Sequence, residues 1–553
     1  MSAVVDKQQG QFSRAEPASH AASTAGSRIR TAVTGPTAAL AAATAIGATF
    51  IYWLVHLSLI DDAYITLTYA RTLAEHGEWG MLPGHEANSA TSPLHVLLLG
   101  GLTAIVGDPV VALGVLYVLT CVALALGLRG LGGTLGLGYR VAVLGTPLLV
   151  ASPLLASTIG LETMLVVTAL TYLTWACARG DATMAGLACG VLLWLRLDTV
   201  VVVAILVLAT PSLWRRLIRV VALAAGVVGP GLLFSWLVLG SAIPDTLIIK
   251  QGGSWGDFLT AMTTRYYSKN PSAAIVVLVV AAVGLLATLT WPAWRRRGVA
   301  AGSSVVPALA VAGAAYFGLI WSLDVPPFFW YYAPTLAALT LTAVIGLATF
   351  SGPRFRGYAR AAAVTIGAAL LVMTVIPWGT RASEHVPLRE MPIHANWAHP
   401  DEYAEIGREL HDIVGDTPVH GPGEVGTLAY FCECTIVDRF TDRAVLADEI
   451  REARHDSSLY RLNYAGLDLS SLDPITPGYW LVWRHGPDPT DRGWDTTGLA
   501  GARAHGHFVL LDHHPGKAKQ RNDDSQLLIP DAQQQPSGPQ QQPSDQATDG
   551  SLR

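Results

Sequence analysis

The chain has 553 residues and a net charge of −5, and is 51% hydrophobic but only 14% charged. Soluble domains carry about 25% charged residues, so this composition excludes a soluble enzyme, a disordered regulator and a basic nucleic-acid binder. Mean hydropathy is +0.40, and residues 1–30 and 516–553 are both polar, so the apolar excess lies between them and marks a polytopic membrane protein.

A helical span needs roughly 20 mostly apolar residues. The sequence predicts about eleven spans by that rule, near 32–58, 109–128, 140–157, 161–178, 182–196, 198–213, 217–239, 271–292, 303–322, 327–350 and 355–377. The stretch 92–107, SPLHVLLLGGLTAIVG, is apolar but is not counted as a crossing. Cytoplasmic loops collect Lys and Arg. The clusters Arg28/Arg30, Arg129/Arg140, Arg179, Arg215/Arg216/Arg219, Arg295/Arg296/Arg297 and Arg354/Arg356 share one side only if 92–107 lies along the outer interface or re-enters. The N-terminus is then cytoplasmic and residues 378–515 are extracytoplasmic. Arg196 is left as a lone arginine on the outer side.

The first apolar run follows about 30 polar residues and has no clear cleavage site, so it reads as an anchor, not a signal peptide. Residues 1–30 read as a disordered cytoplasmic tail and 31–377 as the membrane module, with long outer loops at 59–108 and 240–270. Residues 378–515 have soluble composition. Within them VHGPGEVGTLAYFCECTIVDRF reads as strand, Gly-rich turn and strand, and YWLVWRH and HFVLLDHH as further strands. The expected fold is thus mostly α, a polytopic helical membrane protein with a C-terminal extracytoplasmic α/β or α+β domain. Residues 516–553 are Gln/Pro-rich and cannot bury a core. No internal repeat is visible.

Chemistry-bearing residues gather at the expected outer ends of the spans. Asp61 and Asp62 stand where the first span ends. Ionisable groups at that depth are costly and point to function, although Asp also favours the first turn of a helix. The loop WGMLPGHEANSATSPLHV brings Glu86, Asn88 and His95 among turn formers, the hydrogen-bonding groups that a sugar site uses and that an ordinary polar loop also has. Glu162 stands alone in TIGLET. Arg196 and Asp198 fit either a site or an ion pair closing a helix hairpin. The chain has five lysines against 31 arginines. Lys250 and Lys269, with Arg265 between them, lie in the second long outer loop, against the usual cytoplasmic bias. Cations there suit a fixed anion such as a lipid phosphate, or the anionic headgroups themselves. Trp330 and Tyr331 sit in PPFFWYY, which reads as an interfacial aromatic belt or as a wall for sugar rings and lipid tails.

Five cysteines are too few for a disulfide scaffold. Cys432 and Cys434, two apart on an expected strand, would face the same way, and they read as buried free thiols. No Walker loop, HExxH or nucleophile elbow is present.

Taken in order, the first span, Asp-Asp, an interfacial helix, EANSATSPL, GLET, an Arg-x-acid pair and GSAIPDTLIIK resemble the GT-C superfamily of integral-membrane glycosyltransferases, which use polyprenyl-phosphate donors. Within it, the pattern is most similar to the mycobacterial terminal arabinofuranosyltransferases of cell-wall arabinan. The matched segments cover most of residues 50–270. The chain departs from the family at Arg196-Leu197-Asp198, where Arg-Pro-Glu is usual, at Asp245, and in the Phe-Phe-Trp-Tyr-Tyr loop.

The resemblance implies transfer of a sugar, arabinofuranosyl as the first expectation, from a polyprenyl-phosphate donor to a cell-envelope polysaccharide at the outer face of the cell membrane. It implicates the Asp pair in catalysis. Such transfer needs a base for the acceptor hydroxyl and cations for the departing phosphate. Asp61 is the expected base, with Asp62 orienting it or binding a metal. Lys250 is the expected phosphate partner, backed by Arg265 and Arg196. Glu162, Asp198, Glu86, Asn88, His95, Trp330 and Tyr331 are the expected sugar or acceptor contacts. No cofactor is required, although carboxylates would suit Mg²⁺, Mn²⁺ or Ca²⁺. The alternatives are a mannosyltransferase using polyprenyl-phosphate mannose, an envelope transporter and a non-catalytic scaffold. Transporters place charge at the bilayer midplane between related halves, which this sequence does not do.

Overall fold

The computed structural model describes residues 35–250, 258–292, 304–353, 355, 357–394, 396–486, 493–497 and 506–512. The expected polar tails, Arg28/Arg30 and the clusters at 295–297 and 354/356 lie outside the described residues.

Among the described residues, seven helices are long and apolar enough to cross a membrane: Pro36–Val55, Pro109–Thr134, Leu217–Val238, Pro271–Leu289, Val305–Ser322, Phe329–Phe350 and Tyr358–Ala382. Each matches an expected span. The four remaining expected spans are shorter helices, Arg140–Val150, Thr163–Arg179, Ala182–Leu195 and Val200–Leu208. They stop short because turns interrupt the chain at their ends. Arg196, with φ −153° and ψ 114°, ends one helix before a 3₁₀ turn at Leu197–Thr199. Breaks of this kind are tolerated in a membrane when they are buried in protein, and Thr199 is 1% exposed.

The stretch 92–107 forms helix Pro93–Val106, about 21 Å long at 1.5 Å per residue and too short for a ~30 Å hydrocarbon core. The Tyr52 hydroxyl, one turn from the end of the first helix, donates to the Val110 carbonyl at the start of the next long helix. The chain therefore enters and leaves this short helix at the same end of the bundle, as the charge pattern required.

Asp61, Glu162, Arg196, Asp245, the 329–332 turn and Arg381 all fall at that same end, where the C-terminal domain sits. Arg179 lies at the far end of the helix that Glu162 precedes, about 25 Å away.

The C-terminal domain carries a five-stranded sheet of order β2-β1-β3-β5-β4, with β1 Val419–His420, β2 Ile436–Val437, β3 Tyr479–His485, β4 Gly493–Thr496 and β5 Gly506–Leu511. β1 runs parallel to β2 and β3, and β5 runs antiparallel to β3 and β4. Helix Pro400–Val414 covers it through Tyr403, Ile406, Leu410 and Val414, which share one core with Val419, Leu481 and Phe508. That core also takes in Ile65, Tyr69, Trp79, Met81 and Val96 from the first long loop. The domain is therefore seated on the membrane module by apolar burial.

One expected turn-and-strand is corrected. Between β1 and β2 the chain forms helix Gly426–Cys432. Glu433 then adopts a left-handed φ of 52°, which folds the chain back and brings the Cα atoms of Cys432 and Cys434 to 5.1 Å in a disulfide. The thiols expected free on a strand are paired because the chain there is a helix end, and 5.1 Å lies within the usual disulfide range. Cys121, Cys177 and Cys189 are free and buried.

At Gly426 the backbones of the domain and the membrane module approach closely. A Cβ there would lie 2.2 Å from the Asp61 carbonyl oxygen and 2.9 Å from the Ile65 amide nitrogen. Both are backbone atoms and cannot swing aside. Gly426→Ala is expected to lower stability by about 1–3 kcal/mol through overpacking. Gly229→Ala, which meets nothing within 4 Å, is the neutral control. Thermal unfolding in detergent compares the two.

Candidate active site

The end of the bundle under the C-terminal domain holds a cavity that is partly open to solvent. Asp62, Glu162, Arg196, Lys250, Trp330 and Tyr331 line it, together with Tyr69, the 89–92 loop and Phe440.

Asp62 enters from the first turn of helix Asp61–His76, where a carboxylate favours the helix dipole. It is half-buried, and its Oδ2 lies 3.9 Å from Lys250 Nζ. Burial holds its pKa above the ordinary 3.8. Lys250 pulls in the opposite direction and Glu162 adds to the rise.

Lys250 follows the short helix Thr246–Ile249, and a buried frame presents it. Arg443 pairs with Asp245 twice, Nε to Oδ2 and Nη2 to Oδ1, each at 2.9 Å. The Asp245 amide donates to the Asn88 carbonyl at 2.7 Å. The Asn88 side-chain amide in turn donates to Ser235 Oγ and to Ser241 O and Oγ, each at 2.9 Å. Asn88 is 0% exposed, so it builds the wall behind Lys250 and does not face the cavity.

Arg196 sits between two carboxylates. Its Nη1 donates to Glu162 Oε1 at 2.9 Å, and its Nε donates to Asp198 Oδ1 at 3.0 Å. The Tyr316 hydroxyl donates to Asp198 Oδ2 at 3.0 Å. The ion-pair reading of Arg196 and Asp198 is thus realised, and Arg196 lines the cavity as well. Asp198 lies behind it. The Tyr331 ring faces both cations, 5.2 Å from the Arg196 guanidinium and 5.8 Å from Lys250 Nζ.

The aromatic loop is not a lipid-facing belt. Phe329, Trp330, Tyr331 and Tyr332 are all buried, at 0–8% exposure. Phe328 stacks on Trp330 at 4.4 Å, and Tyr332 stacks on Phe258 at 4.5 Å. They close the site inside protein.

Asp61 does not line the cavity. Its carboxylate crosses to the C-terminal domain, where Oδ1 accepts from the Thr427 amide at 2.8 Å and its hydroxyl at 2.9 Å. Oδ2 accepts from the Gly426 amide at 3.1 Å. It thereby satisfies donors at a helix N-terminus that have no partner within the helix. Burial raises its pKa to about 6, against the opposing Thr427 hydrogen bond and with the Asp62 charge adding to the rise. Glu424, beside it, accepts from the Trp397 amide at 2.8 Å and from the Tyr403 hydroxyl. Burial and the Asp61 charge hold its carboxyl well above the usual range.

The other expected contacts are dispersed. Glu86 is exposed on its loop. His95 is buried in an adjoining, mainly apolar cavity with Leu113, Leu116, Tyr117, Ile159 and Met164, and the two cavities share Leu161. Arg265 heads the short helix Arg265–Lys269, off the cavity lining. Residues that sequence reasoning did not single out include Tyr69, whose hydroxyl donates to the Ala87 carbonyl at 2.8 Å. Tyr316, Phe440, Thr427 and Arg443 were also missed. All five carry ordinary side chains in ordinary patterns, and only tertiary contacts mark them.

No protein-family model matches the chain, and no curated protein matches it. Solved structures of similar fold include the mycobacterial arabinofuranosyltransferase AftD, with a TM-score of 0.45 and 15% identity over 86% of this chain. This chain spans 40% of the length of that protein. They include ArnT from Cupriavidus metallidurans bound to undecaprenyl phosphate, with a TM-score of 0.47 and 14% identity over 85% of this chain and 98% of that one. They also include the oligosaccharyltransferase AglB from Archaeoglobus fulgidus with an inhibitory peptide and a dolichol-phosphate, with a TM-score of 0.46 and 11% identity over 80% of this chain and 69% of that one.

Proposed function

We propose that the chain is a multi-pass membrane glycosyltransferase that moves a sugar from a polyprenyl-phosphate donor to a cell-envelope glycan. The supporting observation is one cavity that holds Lys250 and Asp62 side by side, under a folded domain and at the end of membrane-spanning helices. A cation for the leaving phosphate and a carboxylate for the attacking hydroxyl are the two groups this reaction needs. Arg179, at the far end of its helix, supports reading the opposite side as cytoplasmic by the positive-inside rule.

In this reading the acceptor hydroxyl gives its proton to Asp62 as its oxygen bonds to the anomeric carbon. The bond from that carbon to the phosphate oxygen breaks, and the electron pair leaves with the polyprenyl phosphate. Lys250 compensates the phosphate charge. Arg196 is already neutralised by Glu162 and Asp198, so its task is to hold Glu162 toward the sugar hydroxyls. Trp330 and Tyr331 wall the ring. Asp61 holds the domain in place and leaves the role of base to Asp62. The reading requires no metal. Asp62 and Glu162 are the carboxylates at the cavity wall whose oxygens Mg²⁺, Mn²⁺ or Ca²⁺ would use. Arabinofuranosyl is the proposed sugar, on the strength of the sequence motifs.

The test is turnover by the purified chain, with polyprenyl-phosphoryl arabinofuranose and polyprenyl-phosphoryl mannose supplied in parallel. Transfer from the first supports the full reading, transfer from mannose alone corrects the sugar, and transfer from neither sinks the proposal for these donors. The pH profile carries a second check. A base works only when deprotonated, and the Asp62 pKa is raised. The rate is therefore expected to fall with acid on a limb displaced above pH 3.8, and Asp62→Asn is expected to remove that limb from any residual activity.

A further inference from the structure

The segment that leads from the last membrane helix to the C-terminal domain crosses the top of the bundle and is tied down along its length. The Ile393 amide donates to Ser157 Oγ at 2.8 Å, Asn396 Oδ1 accepts from the Asp61 amide at 3.3 Å, and the Trp397 amide donates to Glu424 at 2.8 Å. On this segment Glu390, His394 and His399 converge. Each offers one ligand atom, and the three atoms lie within 4.8 Å of one another. His394 and His399 are 1% and 4% exposed.

We propose that Glu390, His394 and His399 form a binding site for a transition-metal ion of the Zn²⁺ type, with water in the fourth position. A tetrahedral Zn²⁺ site with ligand bonds of 2.0–2.2 Å sets its ligand atoms about 3.4 Å apart. Glu390 Oε1 and His399 Nε2 are already 3.4 Å apart. The His394 and His399 rings lie within 24° of parallel with centroids 5.5 Å apart. Two imidazoles on one tetrahedral ion place their centroids about 5.2 Å apart. The other two edges are no longer than 4.8 Å, so closing them asks for at most about 1.4 Å of side-chain movement.

The donor set selects the metal class. Two imidazoles and one carboxylate suit Zn²⁺ and its neighbours, whereas Mg²⁺ and Ca²⁺ take oxygen ligands. The second carboxylate oxygen of Glu390 is held by Arg381 at 2.5 Å, and Arg381 is held in turn by Asn270 at 2.9 Å. That is how an outer partner orients a metal-ligating carboxylate. The ion would pin the segment two residues before and three residues after Asn396. It would thereby fix the domain over Asp61. The site is separate from the cavity lining and does not depend on the glycosyl-transfer reading.

The test uses the full chain, purified in detergent without a polyhistidine tag from zinc-supplemented culture. Elemental analysis is expected to find about one Zn²⁺ per chain in wild type and at least fivefold less in the His394→Ala/His399→Ala double variant. Equal zinc in the two proteins would overturn the proposal. If the double variant does not fold, Co²⁺ titrated into metal-stripped wild type reads the site directly. Visible d–d absorption that saturates at one equivalent supports it, and a flat titration overturns it. Arg381→Gln is expected to weaken Zn²⁺ binding by about 10–100-fold in competition with a chromogenic chelator.

Discussion

Asp62→Asn is expected to lower glycosyl transfer by about 10²–10⁴-fold, the span that general-base catalysis contributes, while the protein still inserts and folds. Asn keeps the shape of Asp62 but cannot take a proton. Asp62 stands on the cavity wall with Lys250 Nζ 3.9 Å away. Removing its charge also leaves Lys250 without that partner, so donor binding is expected to hold or tighten even as turnover collapses.

The comparison that gives this result meaning is Asp61→Asn. Asp61 accepts three hydrogen bonds from Gly426 and Thr427. An amide can keep the Thr427 bonds through its oxygen but turns a donor toward the Gly426 N–H. The expected outcome is a loss of about 1–3 kcal/mol in stability, with transfer per folded molecule retained. Steady-state kinetics together with thermal unfolding separate the two variants. Transfer lost in Asp61→Asn at unchanged stability would return the role of base to Asp61.

Arg443→Met is expected to cost about 3–5 kcal/mol, the penalty for leaving one charge of a buried pair uncompensated. Arg443 and Asp245 have side chains 6% and 2% exposed. Arg443 also donates to the Leu239 carbonyl and, at 2.6 Å, to Ser241 Oγ. Adding Asp245→Leu is expected to restore part of the loss, because an apolar pair of similar volume can replace a buried ion pair. The cycle of both single variants and the double isolates the coupling. Lys250 follows Asp245 by five residues, so a KM rise for the donor that persists in the stable double variant would show that the frame positions Lys250. An unchanged KM would confine the frame to stability.

The membrane helices were legible because a bilayer imposes one strong rule. A span must satisfy its backbone internally and present apolar side chains to lipid, and every expected span coincides with a helix. The stretch 92–107 was set apart from the crossings for a related reason, since Arg placement across a membrane leaves a parity that a miscounted span violates. Gathering charged residues at one end of the bundle also worked. Asp62, Glu162, Arg196, Lys250, Trp330 and Tyr331 were all named from sequence and line one cavity.

The assignments that failed depended on partners far away in the chain. The helix Gly426–Cys432 reads locally as turn and strand, because Tyr and Phe favour strands. It is a helix whose first amides are capped by a residue 365 positions earlier. The disulfide went unseen for the same reason, since it follows from the helix end and the left-handed Glu433. Asn88 looked like a sugar ligand because a buried amide and a ligand amide share one chemistry, and only its bonds to Ser235 and Ser241 show the difference.

The sequence by itself determined that this is a membrane protein, where its helices run, and which end of the bundle bears the charge. Those properties follow from transfer of side chains between water and hydrocarbon, a cost each residue meets independently of its neighbours. Only the tertiary structure decided which aspartate faces the cavity. Asp61 and Asp62 are adjacent on one helix and about 100° apart around it. One turns to the C-terminal domain and the other to Lys250, and that choice is made by packing against Gly426, which no local property of either residue encodes.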